Sequence, residues 1–313
     1  MKRKIQVTGF MLKFLIPYFS FLIFFLSCQT MPNVPNVYLE DAAHAPLDTN
    51  ASIYLFADVK KSRDIINLLP IDELKDSQVR LMLDRTDYIA AALFPGNSGR
   101  RFQLTAWGRY PGAADMAFSS NKNWLKHSDG KWGAYWHSSS DKLSLAVSAK
   151  NAFASSWLNN SPASPFAQMP GVEIPEGFNE FSKAKKDRQG KNIFPKAPVS
   201  CWLDEPGSAI IRVLNEAGLP IRIPVQKIFI NIYDGLHSEN QYTARILFQF
   251  ENASQARATA ALISIAYGLL SGAPNFINSI FLTNPLTQEG RNLEFISAPL
   301  NREILIQLFN LFS

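Results

Sequence analysis

The chain has 313 residues, of which 31 are Lys or Arg and 26 are Asp or Glu, and its formal net charge is +5. Four of the bases, Lys2, Arg3, Lys4 and Lys13, fall in the first 27 residues, a segment that contains no acid. The rest of the chain is therefore nearly neutral, which argues against a nucleic-acid binder with a broad basic surface. Hydrophobic residues make up 47% of the chain, so it can bury a core and is not intrinsically disordered.

The amino-terminal segment has the layout of a signal peptide. Basic residues precede an apolar run over residues 14–26, and Ser27 and Cys28 follow. This run would reach only about 20 Å as a helix, against the roughly 30 Å hydrocarbon core of a bilayer. We therefore predict a cleaved export signal over residues 1–27 rather than a permanent spanning helix.

Cys28 is the informative residue of this segment, because a thiol at this place can carry diacylglycerol after export. The sequence Leu26-Ser27-Cys28 resembles the lipobox of bacterial lipoproteins. Phe25 stands where that pattern usually has Leu, a departure that resembles the relaxed lipoboxes of spirochaetes. The resemblance implies acylation at Cys28, and Gln29 in place of Asp implies sorting to the outer membrane, on its periplasmic leaflet. Membrane lipid is thus an expected partner.

The mature chain divides by composition into a tether and two halves. Residues 28–50, with three prolines, read as the tether, and the Pro-rich residues 158–197 as a linker between halves at 51–157 and 198–313. Each half starts with a strand, at 52–59 and 199–204, and each then shows a hairpin, at 88–94 with 102–110 and at 227–233 with 242–250. We predict an α+β fold of two similar halves, each an antiparallel hairpin-based sheet with helices on one face.

Helices complete the predicted halves. We expect them at residues 63–69 and 72–84 in the first half and at 207–217 in the second. Further helices are expected to begin near residues 113 and 254, and the similar segments 143–151 and 293–301 are each expected to be followed by a helix.

No arrangement of residues points to an enzyme. The four histidines, His44, His127, His137 and His237, form no helical metal-binding motif, and we predict no cofactor, no metal and no catalytic residue. If Cys28 is acylated, Cys201 has no disulfide partner, and its strand-like surroundings favour a buried inert thiol.

The first half is rich in tryptophan, which carries a large apolar ring with a polar edge. Trp107, Trp132 and Trp136 are candidates for binding a glycan or a small apolar ligand, and the competing interpretation places them in the core. On a strand over residues 131–137, Trp132 and Trp136 would share one face and Tyr135 would occupy the other.

The second half contains 31 consecutive residues, 258–288, without Asp, Glu, Lys or Arg. Gly272, Pro274 and Asn275 interrupt this stretch, which predicts two short helices rather than a spanning one. Such helices either pack in the core or lie in one leaflet of a bilayer. The candidate residues for membrane or lipid contact, including two from the carboxy-terminal helix, are Leu262, Ile263, Leu269, Leu270, Phe276, Ile280, Phe281, Leu308 and Phe312.

A lipidated cysteine, two α/β-like halves and poorly charged amphipathic helices together resemble the treponemal outer-membrane lipoproteins whose helices insert into the inner leaflet. This resemblance implies a non-enzymatic lipoprotein of the outer membrane whose apolar helices contact the leaflet or enclose lipid. The alternative is a periplasmic or surface lipoprotein that binds a glycan or small apolar ligand through its tryptophans.

Overall fold

The computed structural model describes residues between positions 47 and 304, with gaps. The described segments are 47–67, 83–94, 100–111, 118–119, 122–140, 142–157, 162–166, 174–186, 192–204, 206, 223–234, 241–269 and 286–304. They are mostly antiparallel β structure with few helices. Of the described residues, 47–63 and 83–174 belong to one compact unit, and 64–67 and 175–304 to a second.

The first unit is an antiparallel sheet of seven described strands. Helix α1 (Arg63–Asn67) follows its first strand in the chain. The strands are β1 (Ile53–Asp58), β2 (Thr86–Leu93), β3 (Arg100–Gly108), β4 (Trp124–Asp129), β5 (Gly133–Ser138), β6 (Leu143–Val147) and β7 (Asn151–Trp157). Their order across the sheet is β1-β2-β3-β7-β6-β5-β4.

The two faces of this sheet bury different residues, as the alternation of side chains along a strand requires. One face carries an apolar cluster that includes Phe102, Trp136 and Leu145. On the other face, Tyr135 and Phe153 pack with Phe166, a residue of the segment that follows β7. Gln103 ties two chain segments to this second face, since its Oε1 accepts from the Asp48 amide at 2.6 Å and its Nε2 donates to the Pro165 carbonyl at 3.3 Å.

The second unit is also built on antiparallel strands. Its sheet strands are β10 (Val199–Asp204), β11 (Lys227–Asp234), β12 (Tyr242–Gln249), β13 (Thr287–Glu289) and β14 (Asn292–Ile296), in the order β13-β14-β12-β11-β10. Preceding them in the chain are helix α2 (Phe178–Ser182) and a separate strand pair, β8 (Lys185–Lys186) with β9 (Asn192–Phe194). Helix α3 (Ala253–Leu269) follows β12.

Aromatic side chains pack helix α2 against the sheet of the second unit. Phe178 lies edge-on to Trp202 and Phe229, with ring centroids 4.5 and 5.4 Å apart. Phe194 of β9 packs on Tyr233 at 5.2 Å. Residues 175–186 and 192–197, which lie within the predicted linker 158–197, thus form part of the second unit. Their buried phenylalanines are spaced among prolines and lysines, which is why composition alone suggested a linker.

Several predicted elements are confirmed, and others differ. The hairpins of β2 with β3 and of β11 with β12 are confirmed, as is a helix starting near residue 254. The helix expected after residue 151 is wrong: residues 151–157 form strand β7, which lies between β3 and β6 and is buried on both faces, so it shows no polar alternation. In the described residues the first sheet has seven strands and the second five, so the similarity of two α+β halves stays a prediction. The predicted helices at 72–84, 113 and 207–217 lie mainly outside the described residues.

Candidate membrane-contact site

Helix α3 opens with a side-chain cap. The Oδ1 atom of Asn252 accepts from the backbone amides of Ser254 and Gln255, at 3.1 and 3.0 Å, and so satisfies two amides that have no partner inside the helix. The following residues are rich in alanine, the residue with the highest helix propensity. The cap and the alanine-rich sequence are both local features, so the sequence alone is sufficient to predict this helix.

The face that α3 buries is lined by small side chains. Ala256 and Thr259 are almost fully buried, three residues apart on one side of the helix, and the helix packs against β13 and β14. Its exposed side carries Arg257, Ala261 and Ser264.

Leu262 lies with the exposed residues rather than with the buried ones. It is 43% exposed, and Leu125, at 57%, is the other large hydrophobic residue that is exposed in the described part of the chain. Ile263, the neighbour of Leu262, is half-buried. Leu262 therefore keeps much of its apolar surface in solvent, although it sits in a helix that lacks charge after Arg257.

The other predicted contact residues are placed as follows. Leu269 is the last residue of α3. Leu270, Phe276, Ile280, Phe281, Leu308 and Phe312 lie outside the described residues, and so does Cys28. Of the predicted carboxy-terminal helix, the structure describes residues 302–304, which are helical, and the Ile304 amide donates to Asn301 Oδ1 at 2.9 Å. Among the described helices, none combines the length and the apolar character needed to cross a membrane.

The three candidate tryptophans do not form one exposed face. Trp136 is only 7% exposed and lies in the apolar cluster of the first sheet, where its ring centroid is 5.9 Å from that of Phe118. Trp132 packs instead on the opposite side, with Tyr135 and Phe166. The expected shared face of Trp132 and Trp136 is thus wrong, because β5 begins only at Gly133, whose φ of 111° breaks the strand alternation. Trp107 is half-buried beside Tyr88, with centroids 6.0 Å apart.

A buried ion pair holds the segment that carries α2 on the second sheet. Arg245 donates from Nε and Nη2 to the two carboxylate oxygens of Glu294, at 2.9 and 3.2 Å, and from Nη1 to the Phe181 carbonyl at 2.9 Å. Its guanidinium lies 4.3 Å from the centroid of the Phe181 ring, a cation–π distance. Lys185 adds a second donor to Glu294 at 3.0 Å.

The charge on Glu294 follows from these contacts. Burial alone would raise the pKa of its carboxyl, but the hydrogen bonds and charges of Arg245 and Lys185 outweigh burial and hold that pKa below its ordinary value. Elsewhere, burial raises the pKa of the Cys201 thiol to about 12. This thiol stays protonated at neutral pH and is a poor nucleophile, in line with the predicted inert role.

No group of three or more metal-ligating side chains occurs among the described residues. The features described above are a helix with an exposed leucine, an ion pair with a structural role, and tryptophans that are mostly packed against other side chains.

Comparison with known proteins identifies the family to which the chain belongs. No curated protein sequence matches the chain. Three solved structures share its fold with a TM-score of 0.56: crystal form III of TP0453, at 18% identity over 84% of this chain and 95% of that one, and crystal forms I and IV, each at 17% identity, over 87% and 86% of this chain and 98% and 96% of theirs.

The family model described as "Outer membrane-associated lipoprotein TP0453" matches residues 44–273. This range covers most of the chain and includes the described residues of the first unit, much of the second unit and helix α3. The match confirms the predicted class and the predicted location at the outer membrane. The chain therefore belongs to the TP0453 family of outer membrane-associated lipoproteins.

Proposed function

We propose that this protein is a non-enzymatic lipoprotein that is held at the outer membrane by acylated Cys28 and contacts the lipid leaflet through helix α3 and the apolar residues that follow it. The observation that carries the proposal is the exposure of Leu262, at 43%, on a helix whose buried side uses Ala256 and Thr259. A helix that served only the core would turn its largest apolar side chains inward.

Apolar area supplies the driving force for this contact. Burial of a whole leucine side chain contributes about 1.5 to 3 kcal/mol, so the exposed part of Leu262 contributes roughly 1 kcal/mol on transfer to lipid. One residue cannot hold a protein on a membrane, but acyl chains at Cys28 would hold the protein at the surface permanently. Helix α3 then needs only a small free-energy preference for lipid over water, because the anchor keeps the effective concentration of lipid near the helix high.

The lipid anchor has its own test. Metabolic labelling with a fatty-acid analogue should mark the wild-type chain and leave the Cys28→Ala variant unmarked. Label that persists in the variant would remove Cys28 from the proposal.

Contact by α3 can be measured at the level of one residue. An environment-sensitive dye is attached at Leu262→Cys or, as the matched control, at Ser264→Cys, in a full-length Cys201→Ser background. Both positions are exposed, but they lie about 160° apart around the helix axis. In proteoliposomes, the dye at position 262 should shift to the blue and be quenched by brominated lipid, whereas the dye at 264 should report water. A water-like signal at both positions would refute leaflet contact by α3.

Ligand binding through tryptophan is the second candidate, and the half-buried Trp107 and Trp132 are the observations that favour it. Lys131 lies with its Nζ 4.6 Å from the centroid of the Trp132 ring, so one side of that ring already has a cationic neighbour. A glycan or small apolar ligand should change the tryptophan fluorescence of the wild type but not of Trp132→Phe. Equal responses in both proteins would exclude Trp132 from binding.

A further inference from the structure

The β4–β5 hairpin brings together two histidines that are ten positions apart in sequence. In the antiparallel register, His127 lies opposite Tyr135 and His137 lies opposite Leu125. Tyr135 and His137 are two residues apart on β5 and share a face, so His127 and His137 are diagonal neighbours on the same side of the sheet. Their ring centroids are 6.0 Å apart, with the ring planes at 78°.

This separation suits two imidazoles that bind one metal ion. With a metal–nitrogen distance of about 2.0 to 2.1 Å, each ring centroid lies roughly 3.2 Å from the metal. The two centroids of a bound pair are then roughly 5.2 Å apart at the tetrahedral angle and roughly 6.4 Å apart when the ligands are opposite each other. The observed 6.0 Å lies between these limits.

The ring nitrogen atoms of the two histidines differ in their contacts. The Nε2 atom of His127 is buried and has no hydrogen-bond partner in the described structure. The Nδ1 atom of His137 is 3.1 Å from the Oγ atom of Ser144. When Nδ1 donates to that hydroxyl, the metal-binding lone pair is on Nε2, and the hydrogen bond orients the ring as an outer-shell partner of a metal ligand does.

The charged side chains near the two histidines, those of Asp129 and Lys126, contact other groups. Asp129 Oδ1 accepts from the backbone amides of Lys131 and Trp132, each at 3.1 Å, and so stabilises the turn of the hairpin. The Nζ atom of Lys126 lies 5.3 Å from the Trp136 ring, which belongs to the opposite face of the sheet. Tyr135 stacks on His127 at 5.5 Å, and its hydroxyl donates to the Pro162 carbonyl. Imidazole nitrogen is thus the metal-binding group that the β4–β5 hairpin provides on this face of the sheet.

We propose that His127 and His137 form a two-histidine site for a divalent ion of the late transition metals, of which Cu²⁺ and Zn²⁺ suit imidazole ligands best. No group of three metal-ligating side chains occurs among the described residues, so these residues supply two ligands to the ion. Bound metal would link the edge strand β4 to β5 and stabilise the hairpin.

The test uses the full-length lipoprotein in detergent micelles, titrated with ZnCl₂ in a calorimeter at pH 7.5. One ion should bind per chain. His127→Gln should weaken binding at least about tenfold, since even a change in the outer shell of a metal site costs 10- to 100-fold. His237→Gln, the matched control at a histidine elsewhere in the chain, should bind as the wild type does. Wild-type affinity in His127→Gln, or no binding by the wild type, would overturn the proposal.

A measurement on the wild type makes the result independent of any variant's folding. Electron paramagnetic resonance of the protein with one equivalent of CuCl₂ should show coupling to two imidazole nitrogens. A spectrum with one nitrogen or none would contradict a site formed by His127 and His137.

Discussion

Replacement of Glu294 by Gln tests how the segment containing α2 is held on the second sheet. Arg245 is only 5% exposed, and its guanidinium donates two hydrogen bonds to the carboxylate of Glu294. Removal of one partner of a buried ion pair typically costs 3 to 5 kcal/mol, because the other charge stays buried. The Phe181 carbonyl and the Phe181 ring remain as partners of Arg245, so we expect a loss of about 3 kcal/mol, at the lower end of that range.

The assay is urea denaturation of the full-length protein, followed by circular dichroism. The matched control is Lys183→Gln, which breaks the exposed ion pair with Glu180 and should leave the midpoint unchanged. Adding Arg245→Met to Glu294→Gln should recover part of the loss, because it removes the unpaired charge. If Glu294→Gln proves no more destabilising than Lys183→Gln, the ion pair does not hold the segment in the way described.

The same pair predicts a pH dependence of stability with a definite sign. The pKa of the Glu294 carboxyl is lower in the folded protein than its ordinary value, because Arg245 and Lys185 stabilise the charged form. Its contribution to stability is therefore fully present above about pH 5 and is lost as the pH falls through the folded pKa. In urea titrations between pH 6 and pH 3, the wild type should lose more free energy of unfolding than Glu294→Gln. Parallel pH curves would contradict this assignment.

Three further substitutions probe the first unit, each by urea denaturation. Trp136→Ala should cost about 3 to 5 kcal/mol, and clearly more than Trp132→Ala, because Trp136 fills the apolar cluster; equal losses would contradict its assignment to the core. Gly108→Ala should cost about 1 to 3 kcal/mol, since an added Cβ would lie 2.1 Å from the Arg85 carbonyl oxygen, and an unchanged midpoint would rule out that close approach. Thr105→Val should be neutral or stabilising by up to about 1 kcal/mol, because the buried hydroxyl has no hydrogen-bond partner in the described structure; a large loss would reveal one.

Local sequence signals predicted much of the second unit. The alternation of Ile228, Ile230 and Ile232 marked strand β11, and the hairpin with β12 followed from the turn residues between them. The start of α3 was visible in the small residues after Asn252. Each of these elements rests on short-range periodicity or capping, which a single chain displays without knowledge of its neighbours in space.

Elements without such periodicity were missed or misplaced. The sequence pattern predicts a helix where β7 lies. Both faces of β7 are buried, so its residues show no alternation of polar and apolar side chains that would indicate a strand. Strand β4, at the edge of the sheet, was not predicted at all. The placement of α2 on the second sheet depends on Phe178 and Phe181, whose burial cannot be inferred from the prolines and lysines around them.

The sequence alone indicated the class and location of this protein, because the predicted export signal and the lipobox-like residues before Cys28 are local features that require no fold. It also determined where charge is absent, which identified residues 258–288 as the region of interest. Only the tertiary structure decided which side of α3 is buried, that Trp136 belongs to the core, and that His127 and His137 meet across a hairpin. These facts depend on strand register and on packing between distant segments, which local patterns do not encode.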